Sequence, residues 1–164
     1  MKKSNVLIIS FLLGLSVSLI GGNFKTGQLK SSRVKTAYKE KEKRIKDLLE
    51  TKGIEVHTME IFIRAFKKEE IIEVWAKNKS ENSYKFIIQY KFCSSSGELG
   101  PKRRQGDFQI PEGFYFIDRF NPWSSYYLSL GINYPNKSDR ILGYKRNLGG
   151  DIFIHGNCVT IGCI

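Results

Sequence analysis

The sequence predicts a mainly β domain, a small sandwich or barrel, entered through an N-terminal helix. From Glu60 onward, short runs rich in β-branched and aromatic residues alternate apolar and polar side chains between turn residues, the period-two pattern of strands. Hydrophobic residues make up 41% and aromatic residues 13% of the 164 positions, enough to fill one core in a chain too short for two ordinary domains. From Asn23 to Lys52 the chain is polar and basic, and its sparse apolar residues recur at helical spacing.

Residues 1–22 read as an export signal or an uncleaved anchor. Lys2 and Lys3 precede an apolar run from Val6 to Leu19, and Ser16, Ser18, Gly21 and Gly22 supply small residues for cleavage. That run is shorter than the about 20 apolar residues a bilayer span needs, so membrane contact is expected only through an uncleaved leader. Export places the chain in the periplasm or cell envelope, an oxidising setting in which three cysteines leave at least one thiol unpaired. Residues 23–53 form a basic helical segment with Val34, Tyr38, Ile45, Leu48 and Leu49 on a thin stripe and Gly53 as its C-cap. The segment packs that stripe on the domain or serves as a basic arm toward the wall or membrane surface.

Within residues 54–164, the runs Glu60–Phe66 and Ile71–Ala76 flank Lys67-Lys68-Glu69-Glu70 as a hairpin. The next run places Tyr84, Phe86, Ile88, Tyr90 and Phe92 on one face, expected to be core. Leu99–Pro111 carries Lys102, Arg103 and Arg104 among glycines and prolines, a loop whose charges face solvent or meet carboxylates. Phe114–Ile117 and Tyr126–Leu130 follow as strands around a turn at Phe120–Ser125. Ile132–Asn147, rich in Asn, Pro, Gly, Lys and Arg, is expected to be a long loop at the edge of the site. Ile152–Ile154 then reads as a buried strand that delivers His155 to its end. The net charge of +11 favours anionic partners, but no nucleic-acid-binding motif accompanies it, which leaves anionic wall polymers and lipid.

The chemistry concentrates between Ile154 and Cys163, a stretch that holds one of two histidines and two of three cysteines. A thiol becomes a nucleophile when a neighbouring imidazole takes its proton and glycines leave room for a carbonyl. Cys163 and His155 are the candidate nucleophile and base, framed by Gly156, Thr160 and Gly162. Imidazole and thiolate are also zinc ligands, but a fourth ligand would have to be His57, Cys93 or a carboxylate without supporting spacing. No metal and no other cofactor are expected. Cys158 can pair with Cys93 or with Cys163, and the second pairing would silence the nucleophile. Taken alone, Cys93 reads as a small buried side chain, and His57 as structural or exposed.

His155-Gly156 followed by Thr160-Ile161-Gly162-Cys163 resembles the signature of the YkuD-type L,D-transpeptidase family, a His-Gly pair ending a strand and then Ser/Thr-x-Gly-Cys. A second block, Gly100-Pro101-Lys102 through Gly106-Asp107-Phe108 to Pro111-Glu112-Gly113-Phe114-Tyr115, is similar to the segment that precedes the catalytic motif in the family's YafK-like branch. The resemblance spans Glu60 to the C-terminus. Ile161 stands where most members carry a histidine, and the spacing of His155 and Cys163 is shorter than in most members, as suits that branch. Members continue past the cysteine, so the catalytic domain over residues 54–164 is expected to be incomplete at its C-terminus.

This resemblance implies a twisted β-sandwich and a cysteine acyltransferase acting on peptidoglycan stem peptides. Cys163 would attack the carbonyl between the third residue, a diamino acid, and a D-configured fourth residue. His155 would take the thiol proton and pass it to the leaving amine. The N–H groups of Gly162 and Cys163 would hold the oxyanion, and Thr160 or a backbone carbonyl would orient His155. Lys102, Arg104, Tyr134 and Arg140 are the candidate substrate-binding residues. An amine acceptor, including one on a wall-attached protein, gives cross-linking or attachment, and water gives an amidase or L,D-carboxypeptidase. The competing reading is a truncated, inactive relative that binds the wall through its basic surface.

Overall fold

The computed structural model describes residues 24–164, so the leader expected over residues 1–22 lies outside the described residues. No helix among the described residues is long and apolar enough to cross a membrane. Helix α1 runs Ser32–Glu50. Its Lys, Glu and Arg are good helix formers, and the pairs Lys43–Asp47 and Glu42–Lys46 lie one turn apart on its solvated face. The helix stops where Thr51 Oγ1 donates to the Leu48 carbonyl and Gly53 takes a left-handed φ of 64°. Both ends of the stripe are buried. Leu49 packs with Ile54 and Ala76, while near Val34 the Ser31 hydroxyl donates to the Pro122 carbonyl and Arg33 donates to the carbonyls of Ser124 and Tyr127. Helix α1 thereby ties two sheets together.

The first sheet has the order β1-β2-β3, with β1 Met59–Phe66, β2 Ile71–Asn78 and β3 Lys85–Lys91; the second has the order β4-β5-β6, with β4 Ile117–Asn121, β5 Ser129–Ile132 and β6 Phe153–His155. All four pairings within these sheets are antiparallel. The sheets face each other across an apolar cavity of about 360 Å³ lined by Ile63, Val74, Tyr90, Leu130, Ile154 and Ile164 among others. The mainly β fold and the hairpin turn at Lys67–Glu70 are as the sequence predicts.

Two expectations are corrected by local geometry. The single aromatic face of β3 is broken by a bulge: Val74 pairs with Ile88 but Trp75 pairs with Phe86, which leaves Ile87 without a partner. One extra residue flips every side chain beyond it to the other face. Phe86 therefore meets Trp75 edge-on at 5.5 Å, and Ile87 turns toward the cluster of Leu49, Ile54 and Ala76. Ile132–Asn147 is likewise more than a loop, since it holds the helix α2, Lys137–Leu142. Asn136 and Asp139 form a capping box there, the Asn136 side chain accepting from the Asp139 N–H at 3.1 Å and the Asp139 carboxylate accepting from the Asn136 N–H at 2.9 Å. The other Asp139 oxygen accepts from the Tyr115 hydroxyl, which keeps the buried carboxylate paired.

Cys93 is not a small buried side chain. It is exposed and bonded to Cys158, 65 residues away, so the end of β3 is tied to the segment after His155. Closing a loop of that length restricts the unfolded chain, for which the chain-entropy model gives on the order of 4 kcal/mol. Reduction, or the Cys93→Ala/Cys158→Ala double substitution, is expected to lower unfolding free energy by about 2 to 4 kcal/mol. Urea unfolding followed by circular dichroism with and without reductant checks this, and an unchanged midpoint would show that the link contributes nothing.

Candidate active site

The position of the thiol follows from one short ladder. The Ile164 N–H donates to the Phe153 carbonyl at 2.9 Å and its carbonyl accepts from the His155 N–H at 3.0 Å, the slanted pattern of a parallel pair with Ile164 beside Ile154. Side chains alternate along each strand. Ile164 thus shares the inner, cavity-lining face with Ile154, while Cys163 falls on the outer face beside Phe153 and diagonal to His155.

Thr160 fixes the turn that leads there. Its Oγ1 donates to the Cys163 carbonyl at 2.8 Å and accepts from the Gly162 N–H at 3.2 Å. Gly162 has φ 131°, and a Cβ at that position would lie 3.2 Å from the Gln109 carbonyl oxygen. The turn can therefore lie directly on the loop that carries the second sequence block. Thr160 Oγ1 bonds within the turn rather than to His155. The Gly156 carbonyl lies 2.5 Å from Nδ1 and can only accept, so Nδ1 is the donor and, in the neutral imidazole, Nε2 carries the lone pair. The imidazole stacks on Tyr126 with ring centroids 4.6 Å apart. Arg33 of α1, bonded to the carbonyls on either side of Tyr126, holds that stacking partner in place.

Cys163 Sγ donates to the Asp151 carbonyl at 3.8 Å. The thiol and the imidazole share a face without bonding to each other in the hydrogen bonds of the described residues. Burial pushes the thiol above its ordinary value; the Phe153 backbone pulls it down, the Asp151 charge pushes it up and the Lys102 charge pulls it down. The thiol is consequently protonated at neutral pH and needs a base to become a nucleophile.

The candidate binding residues are placed unevenly. Lys102 is 4% exposed, and its ammonium donates to Asp107 Oδ1 at 2.6 Å and to the Arg104 carbonyl at 2.9 Å. Burial acts to raise Asp107, but Lys102 and the N–H groups of Arg103, Arg104 and Gln109 outweigh it and hold the carboxyl at about 2. Lys102 thus organises its own loop, and Arg104 remains exposed beside it. Tyr134 is buried, with its hydroxyl donating to the Leu148 carbonyl at 3.0 Å and burial pushing its phenol up to about 12. Arg140 is exposed and lines a groove of about 460 Å³ with Asp118, Asn133, Asn136 and Lys137. Sequence reasoning missed Arg119 and Asp151, whose ion pair spans 2.8 Å beside the thiol. The Gly149-Gly150-Asp151 turn marked Asp151 alone, and no motif marked Arg119.

The fold and the residue set define a β-sandwich with a cysteine and a histidine on one open sheet face. The chain belongs to the L,D-transpeptidase catalytic domain family, YkuD, whose model matches residues 60–164. It is 44% identical over 105 residues to YafK of Escherichia coli (strain K12), itself named only as a candidate L,D-transpeptidase, and equally to YafK of Escherichia coli O157:H7. These matches take in 63% of this chain and 41% of each relative, so the chain spans about two fifths of the length of the relatives it matches. Among solved structures it is similar to a variant of the helical cell shape determining protein Pgp2 from Campylobacter jejuni, with a TM-score of 0.51 and 27% identity, covering 63% of this chain and 38% of that one.

Two outcomes are expected at this site. Because the thiol is held up by burial, alkylation of Cys163 by iodoacetamide rises with pH through and beyond 9, and a plateau below pH 8 would contradict that protonation state. Gly162→Ala, which forces a Cβ into a left-handed turn against the Gln109 carbonyl, costs about 1 to 3 kcal/mol by thermal unfolding, and an unchanged melting temperature would show that the turn yields easily.

Proposed function

We propose that the chain performs cysteine-dependent acyl transfer on peptidoglycan stem peptides through a thioester on Cys163. The observation that supports this best is the placement of Cys163 on the outer sheet face, diagonal to a histidine whose Nε2 lone pair is free of the backbone, in a chain of the L,D-transpeptidase catalytic domain family. Nε2 takes the Sγ proton as sulfur bonds to the stem carbonyl carbon, and returns it to the leaving amine when the carbon–nitrogen bond breaks. A rotation of the thiol away from the Asp151 carbonyl brings it toward the imidazole. The Gly162 N–H expected at the oxyanion is committed to Thr160, so the Cys163 N–H, which is not among the donors that hold the turn, is the oxyanion donor, worth about 3 to 4 kcal/mol.

The acceptor sets the reaction class. An amine on another stem or on a wall-attached protein gives a new amide, and water gives hydrolysis. The Asp151 side chain beside the thiol is 82% exposed, so water reaches the site, and hydrolysis as an amidase or L,D-carboxypeptidase is the second reading. Action on the wall places the protein in the periplasm or cell envelope, and a contribution to cell shape is part of the same proposal. Lys137 and Arg140 of the groove, with Arg104, are exposed cations that a stem's carboxylates can meet.

Intact mass after incubation with a carbapenem or a tetrapeptide stem tests the reading. Wild type and the Cys93→Ala/Cys158→Ala double variant are expected to gain an acyl adduct, and Cys163→Ala is not. Absence of an adduct on well-folded wild type would overturn acyl transfer and favour a wall-binding relative.

A further inference from the structure

Four residues form one row across the second sheet. Arg119 pairs with Gly131 and Gly131 with Phe153, and Phe153 lies beside Cys163 through the Ile164 ladder. Paired positions share a face, so Arg119 and the thiol occupy the same outer surface. The row depends on its second member having no side chain, because a Cβ on Gly131 would lie 2.8 Å from Arg119 Nε and 3.1 Å from Asp118 Oδ1. Arg119 therefore lies flat across β5, its guanidinium 4.8 Å from the centre of the Phe153 ring. The register shift between Ile117 and Arg119, a bulge, brings Asp118 to the same face.

The charges around that guanidinium are mixed. Nε donates to Asp118 Oδ1 at 3.1 Å and Nη1 to Asp151 Oδ1 at 2.8 Å. A guanidinium has five N–H donors, and these two bonds use two of them. Asp151, with its carboxylate exposed, keeps acceptor positions facing solvent, and its carbonyl meets the Cys163 thiol. A lone carboxylate approaching this cluster meets one cation and two anions. A lone ammonium meets the guanidinium. A group that carries both charges on one carbon satisfies both partners.

We propose that Arg119 and Asp151 form a subsite for the zwitterionic α-amino-acid head of a diamino-acid side chain in a stem peptide, its carboxylate on Arg119 and its ammonium on Asp151. The identity of the ligand rests on the acyl-transfer reading, and the binding chemistry rests on this pair alone. Neither residue is assigned a role by the cysteine–histidine mechanism, yet both flank its thiol.

Isothermal titration of Cys163→Ala, which cannot turn over, with three tripeptide stems tests the subsite: one ending in meso-diaminopimelate, one with its distal carboxyl amidated, and one ending in lysine. The diaminopimelate stem is expected to bind roughly tenfold or more tighter than the other two, as a charge-assisted hydrogen-bonded pair provides. Adding Arg119→Gln is expected to bring all three to the same weak affinity. Asp151→Asn, at an exposed side chain that does not endanger folding, is expected to weaken the diaminopimelate stem by a similar factor. Equal affinities, no binding of any stem, or discrimination that survives Arg119→Gln would overturn the subsite. Adduct formation by wild type, run in parallel, separates the two claims: discrimination without an adduct keeps the subsite and removes acyl transfer, and an adduct without discrimination does the reverse.

Discussion

The pairing of Ile164 with β6 is the constraint on which the site depends. Two hydrogen bonds decide that Ile164 faces the cavity between the sheets and that Cys163 faces out. A slip of one residue would exchange them, sending the thiol among Ile63, Val74 and Leu130 and leaving an isoleucine on the outer face. The turn before it guards against that slip. Thr160 bonds both Gly162 and Cys163, which fixes the path of the turn into the thiol, and the glycine allows the turn to lie against the Gln109 backbone.

The loop that receives the turn is itself built on paired charges. Lys67, reaching over from the β1–β2 hairpin, donates to the Gly100 and Ile110 carbonyls and pairs with Glu112, while Lys102 and Asp107 close the centre of the loop. Removing one member of a buried pair leaves an uncompensated charge, a loss of about 3 to 5 kcal/mol, whereas an exposed pair contributes little. Lys102 is thus better understood as a determinant of loop shape than as a reader of substrate, and its charge reaches Cys163 only as a modest pull on the thiol. The two sequence blocks that resemble the family meet physically here, the Gln109 backbone under Gly162.

What the sequence revealed, and what it hid, divides along a physical line. Local signals were legible: the helical stripe of α1, the Lys67–Glu70 turn and the strand ending at His155. The Asn136-x-x-Asp139 capping box was also present in the letters, but the surrounding Pro, Gly and Lys obscured it. Features created by pairing were not legible. The bulge at Val74/Trp75 exists only as a mismatch between two strands, and the Arg119 row only because Gly131 happens to lie between Arg119 and Phe153; the Cys93–Cys158 link was one of the two pairings open to Cys158, and only the end of β3 lying near the residues after His155 decides it. Arg119 had no motif, and its meaning comes from the empty position beside it.

The protonation state of the thiol fits the chemistry around it. A preformed thiolate five residues from Cys158 would be a standing attacker of the Cys93–Cys158 disulfide, since exchange proceeds through thiolate and not thiol. Burial and the Asp151 charge hold Cys163 protonated against the pulls of the Phe153 backbone and Lys102. A neutral thiol also resists oxidation to sulfenic acid, a hazard in the oxidising envelope proposed for this protein. In the proposed acyl transfer, activation would depend on the geometry of the encounter, with the thiol leaving the Asp151 carbonyl to meet His155 Nε2. A ligand whose charges engage Arg119 and Asp151 would bear on the same residue that holds the resting thiol, so occupation of the proposed subsite would couple to release of the nucleophile through Asp151.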